Sequence, residues 1–135
     1  MIAKYFKEII NLNEAGKEIL LVSSGALALG KKSLNFKKNN LKVSEKQAAS
    51  SVGQVLLINA WKKAFLKYKK QCGQILLTHL DAEIRSSAIN ARNTIESLLK
   101  LNSIPIINEN DSVATQELRY GDNDQLAARV AQITS

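Results

Sequence analysis

The sequence predicts an α/β fold with a mainly parallel sheet, and three observations carry that prediction. Short apolar runs with little alternation, at residues 18–23, 72–78 and 104–107, are separated by segments of helical periodicity. Runs that are apolar throughout suit strands buried on both faces, as in parallel sheets. The polar and glycine-bearing stretches come directly after those runs, as Ser23-Ser24-Gly25, Thr78-His79 and Asn108-Glu109-Asn110-Asp111. Sheets of this kind bind ligands beyond the carboxyl ends of their strands.

The elements follow in order. Ile2, Tyr5, Phe6, Ile9, Ile10 and Leu12 fit one helical face, and Gly16 stands where a left-handed C′ residue would end the helix. The run 18–23 reads as the first strand, and a turn at Ser24-Gly25 leads into helical pattern from Ala26 to Lys32. Residues 34–43 are polar and lysine-rich and read as an exposed loop. Ser44 followed by Gln47 has capping-box spacing. A long helical region follows, with an interruption expected around residues 50–53, and Trp61 in its second half reads as core packing. Residues 72–78 read as the second strand and residues 90–101 as a helix. The third strand is expected over 104–107, with the sole proline, Pro105, at its start, where a missing N–H does least harm. A charged loop over 108–122 precedes a last helix that begins around Asp122-Asn123-Asp124.

Composition narrows the classes. The 135 residues fit one domain, and 45% hydrophobic with only 5% aromatic content implies an aliphatic core. No apolar run approaches the roughly 20 residues that span a bilayer, and the first residues do not read as a signal peptide, so a cytoplasmic protein is expected. The single cysteine, Cys72, excludes an internal disulfide and reads as a buried structural thiol. The net charge of +7 permits nucleic-acid binding, but the lysine pairs are scattered and no aromatics interleave with them to stack on bases. A solvated basic surface is therefore preferred over a nucleic-acid interface. With one histidine, His79, no Ser-His-Asp or Cys-His set can be assembled, and neither a zinc signature nor a P-loop is present.

Three stretches can carry chemistry. Val22-Ser23-Ser24-Gly25-Ala26 runs from a strand into a helix start, where free N–H groups and the helix dipole suit a carboxylate or phosphate. Ser24 is equally readable as a plain helix cap. Asn108-Glu109-Asn110-Asp111 offers a carboxylate for an ammonium group and amides for a carboxylate, or is simply an exposed loop. Gly121-Asp122-Asn123-Asp124 sets two carboxylates and an amide at a helix start, and capping accounts for only one of the three.

These pieces in this order, with Lys46-Gln47-Ala48-Ala49, Val52-Gly53-Gln54, Gln74-Ile75-Leu76-Leu77-Thr78 and Asn90-Ala91-Arg92-Asn93-Thr94, resemble the amino acid kinase family over essentially the whole chain. The Asn-Glu-Asn-Asp and Gly-Asp-Asn-Asp pair is similar to the glutamate 5-kinases within it. The resemblance implies a three-layer αβα sandwich, here incomplete, with residues 1–135 forming the glutamate-binding portion of the domain. It implies MgATP-dependent phosphorylation of the γ-carboxylate of L-glutamate, the first step of proline biosynthesis. ATP and Mg2+ are then the cofactors, L-proline a feedback inhibitor, and a homo-oligomer the expected assembly. By motif match Ser24, Gly25, Asn108, Asp111 and Asn123 would form the substrate pocket, with Asp124 in a catalytic place. No metal ligand is assigned.

The family begins with a strand carrying a Lys and a glycine-rich turn, and continues into adenine- and phosphate-binding segments. Neither is found here, so the chain by itself is expected to bind glutamate weakly and transfer no phosphate. A non-catalytic glutamate- or proline-binding fragment and a basic RNA-binding module stand as alternatives.

Overall fold

The structure, a computed structural model, describes residues 2–113 and 124–135, with the side chains of residues 2–4 left aside. The chain alternates helix and strand as α1 (Ile2–Glu14), β1 (Leu21–Val22), α2 (Ala26–Ser33), α3 (Val43–Leu66), β2 (Gln71–Leu77), α4 (His79–Glu83), α5 (Arg85–Lys100), β3 (Ser103–Glu109) and α6 (Asp124–Thr134). The strands form one parallel sheet in the order β1-β3-β2.

Two apolar clusters sandwich that sheet. Phe6 and Ile10 of α1 and Phe65 of α3 pack on Ile104 and Ile106 of β3. Ala91 and Ile95 of α5 and Leu126 and Val130 of α6 pack on Ile75, Leu77 and Ile107 on the other side. Alternate residues of β3 thus serve opposite layers, which is the αβα arrangement expected. β1 divides in the same way: Leu20 and Val22 join one cluster, Ile19 and Leu21 the other.

Local chemistry sets the boundaries. α1 ends in a Schellman motif: Lys17 N–H donates to the Leu12 carbonyl at 3.1 Å and Gly16 N–H to the Asn13 carbonyl at 3.0 Å. Gly16 holds φ 87°, as its position requires. The buried stripe of α1 is narrower than its apolar face, since Tyr5 and Leu12 are exposed.

Several expectations are corrected. α3 is continuous through residues 50–53, and its glycine serves packing. A Cβ on Gly53 would lie 1.6 Å from the Ala26 carbonyl oxygen, and one on Gly30 would lie 1.6 Å from that of Ala49. The antiparallel helices α2 and α3 therefore touch backbone to backbone. α3 also starts earlier than the Ser44 cap implies: Glu45 closes its first turn by accepting from Lys42 N–H at 2.8 Å, and Lys38 pairs with the same carboxylate at 2.7 Å. Leu41, inside the supposedly exposed loop, is buried.

Pro105 is not at the start of β3 but its third residue, paired opposite Gly73 in the central strand. It shares parity with Ile107, whose carbonyl faces β1 and accepts from Ser23 N–H at 2.8 Å. Its missing N–H therefore faces β1, below the point where that ladder begins at Leu21↔Ile106. β3 also extends through Glu109, so the chemistry-bearing stretch begins within a strand.

Candidate functional site

The register of β1 on β3 brings two of the three candidate stretches to one edge. Val22 lies opposite Ile107, and beyond that pair β1 leads into Ser23-Ser24-Gly25 while β3 leads into Asn108-Glu109-Asn110-Asp111. β2 ends beside them, because Asn110 N–H donates to the Leu77 carbonyl at 2.8 Å.

On the β1 side, Ser23 is buried and Ser24 is exposed. The Ser23 hydroxyl accepts from the Trp61 indole N–H at 3.0 Å. Gly25 takes φ 104° as the N-cap residue of α2, with no side-chain cap, so Ser24 does not act as the cap. That backbone conformation suits glycine alone among common residues. It turns the chain sharply from strand to helix and leaves the Ser24 side chain at the helix entrance.

On the β3 side, Asn108, Glu109 and Asp111 are all buried although strongly polar. Asn108 Oδ1 accepts from Glu109 N–H at 2.8 Å. Glu109 is fully buried, and His79 at the head of α4 places Nε2 3.8 Å from its Oε1. The turn closes as Asp111 N–H donates to the Glu109 carbonyl at 3.0 Å and Val113 N–H to the Asn110 carbonyl at 3.2 Å. Ser112 Oγ donates to Asn110 Oδ1 at 2.6 Å. The stretch is therefore not an exposed loop.

Asp111 is 4% exposed, and Oδ1 has no hydrogen-bond partner among the described residues. Burial raises its carboxyl from 3.8 to about 6. A carboxylate so placed is short of a cation or donor, and a ligand ammonium group would supply both.

Of the residues singled out in the sequence, Ser24, Gly25, Asn108 and Asp111 meet at this edge. Asp124 is exposed in the first turn of α6, whose Leu126 and Val130 pack beneath β3 and whose Arg129 reaches Glu83 of α4 at 3.6 Å. Asn123, with Gly121 and Asp122, lies outside the described residues. Among the described residues no three His, Cys, Asp or Glu side chains gather to hold a metal ion. Cys72 is half-buried, and desolvation pushes its thiol pKa up, with Lys62 opposing, in keeping with a structural role.

Sequence reasoning passed over Glu109, Gln54 and Trp61 as parts of the site. Gln54 Nε2 donates to the Glu109 carbonyl at 3.3 Å, and Gln54 Oε1 accepts from Gln74 at 3.1 Å. The signal was the seven-residue spacing of Gln54 and Trp61, two turns on one helix face.

Comparison with known proteins gives a consistent result. The family model described as the amino acid kinase family matches residues 1–135. The chain is 48% identical over 133 residues to the glutamate 5-kinase of Pelagibacter ubique, covering 98% of this chain and 36% of that protein. It is 55% identical over 124 residues to glutamate 5-kinase 1 of Mesorhizobium japonicum, covering 92% and 33%. It is 52% identical over 128 residues to the glutamate 5-kinase of Agrobacterium fabrum, covering 95% and 33%. The chain thus spans about a third of the length of the curated relatives it matches.

Proposed function

This chain belongs to the amino acid kinase family, and from that premise we propose that it forms the glutamate-binding part of an ATP-dependent glutamate 5-kinase. The observation that carries the reading is the buried Asp111 carboxylate at the carboxyl edge of the central strand, facing no hydrogen-bond partner at Oδ1 among the described residues. Relatives about half identical to this chain bear the name glutamate 5-kinase, which supports the same substrate.

In the proposed reaction, Asp111 holds the substrate ammonium group. The N-terminal turn of α2, entered through Ser24 and Gly25, offers N–H groups to a carboxylate. Asn108, locked to its own strand, shapes the pocket wall, and Asn123 is assigned to the same pocket by motif. An oxygen of the substrate γ-carboxylate forms a bond to the γ-phosphorus of ATP as the bond to the β,γ-bridging oxygen breaks, releasing ADP. The attacking carboxylate is already ionised, so no general base is needed, and positioning supplies most of the catalysis. Asp124 stands in the motif position assigned to catalysis. Magnesium belongs to the ATP phosphates in this scheme rather than to a cage built by these residues.

Feedback inhibition by L-proline at an overlapping site, assembly as a homo-oligomer and a cytoplasmic location complete the proposal. No described helix is long and apolar enough to cross a membrane.

The test is ATP-dependent formation of an acyl phosphate from L-glutamate, trapped as the hydroxamate, in the full-length protein. N-acetylglutamate is the control, because acetylation removes the ammonium assigned to Asp111. Equal use of both compounds would reject the assignment of Asp111, and use of neither would reject the reading itself.

A further inference from the structure

The β1–β3 ladder stops where a ligand would need to enter. Near its end, Ser23 N–H donates to the Ile107 carbonyl at 2.8 Å. In the same register, the next N–H that the β1 side would offer to β3 is that of Gly25, to the Glu109 carbonyl. Gly25 instead turns away at φ 104° to start α2. Gln54 of α3 shares that acceptor with Asp111 N–H, donating from Nε2 to the Glu109 carbonyl at 3.3 Å. Its own oxygen is held by Gln74 of β2 at 3.1 Å, which fixes the amide's orientation.

Two turns further along α3, about 10 Å along its axis, Trp61 donates its indole N–H to the buried Ser23 hydroxyl. Its ring stacks on Phe65 with centroids 5.9 Å apart and an interplanar angle of 19°, so the donor is rigidly aimed. Immediately before Gln54, Gly53 presses against the Ala26 carbonyl and fixes α2 on the same helix. One helix therefore holds the end of β1, the end of β3 and the start of α2.

We propose that Gln54 and Trp61 are positioning residues for the glutamate pocket: they hold the two strand ends apart at a set spacing, so that Ser24-Gly25 and Asp111 meet the same ligand. The inference rests on the functional reading above. It adds two residues that touch no substrate and act through Glu109 and Ser23.

The test measures the kinetics of Gln54→Met and Trp61→Phe in the full-length protein, with thermal unfolding in parallel. Gln54→Met keeps side-chain length and loses the donor; Trp61→Phe keeps an aromatic ring over Phe65 and loses the N–H. Each variant is expected to raise KM for L-glutamate roughly five- to tenfold, the worth of about one hydrogen bond, with KM for ATP unchanged. A merely structural role would instead lower kcat in proportion to folded protein lost and leave KM for glutamate unchanged, and that result overturns the inference.

Trp61 is the only tryptophan of residues 1–135, so its emission, in full-length protein with any tryptophan outside this stretch replaced by Phe, gives a second readout. L-glutamate is expected to shift it saturably near the KM concentration; normal turnover with no shift counts against the inference. Wild-type protein that neither binds nor phosphorylates glutamate overturns the functional reading, and the inference falls with it.

Discussion

Burial raises the Asp111 carboxyl from 3.8 to about 6, and that shift works against the fold at neutral pH. The folded state binds this proton more tightly than the unfolded chain does. Stability is therefore gained as pH falls from about 6 towards 4 and is withheld above 6, on the order of 3 kcal/mol for a shift of this size. Asp111→Asn, which removes the charge and keeps the shape, should stabilise the protein by about 1–3 kcal/mol in urea denaturation at pH 8. The gain should shrink at pH 5, where the wild-type carboxyl is mostly protonated. The same variant should lose glutamate binding. Destabilisation at pH 8 would mean that a cation already neutralises the carboxylate. A second consequence concerns the wild type: its KM for glutamate should rise as pH falls through about 6, because a protonated Asp111 no longer attracts an ammonium group. A flat KM profile from pH 8 to 5 would remove Asp111 from that role.

At the scale of elements, the α2–α3 contact depends on absent side chains. Alanine at Gly30 or Gly53 would drive a methyl group into a carbonyl oxygen on the facing helix, and backbone cannot step aside as a flexible side chain can. Each substitution should cost about 3 kcal/mol, read as a lower urea midpoint. Gly16→Ala is the contrasting case, with open space around the new Cβ but φ 87°. It should cost only about 1 kcal/mol, the conformational penalty alone. Equal losses at Gly16 and Gly53 would show that close packing is not what Gly53 provides. The long helix also carries Gln54 and Trp61, so its continuity through residues 50–53 joins these two residues to the α2 contact at Ala49 in one rigid element.

At the scale of the whole molecule, the central strand β3 serves both apolar layers and ends in the buried polar cluster, so core and site share one element. The net charge of +7 is spread over separate lysine pairs. Single-stranded RNA should bind weakly, with a shallow dependence of log affinity on log salt, and a steep slope would favour the RNA-binding alternative. The sequence by itself determined the alternation of strand and helix, the aliphatic core, the C-terminus of α1 and the gathering of Ser24, Gly25, Asn108 and Asp111 at strand ends. Those features are local: they follow from apolar periodicity, turn chemistry and the direction of parallel strands. Only the tertiary structure decided that α3 runs unbroken, that Pro105 sits inside the central strand and that Asn108, Glu109 and Asp111 are buried. Each depends on what lies opposite. A glycine breaks a helix or joins it to another according to the facing surface, a strand proline is tolerated or not according to where the neighbouring ladder begins, and a charged residue is solvated or desolvated according to which elements close over it.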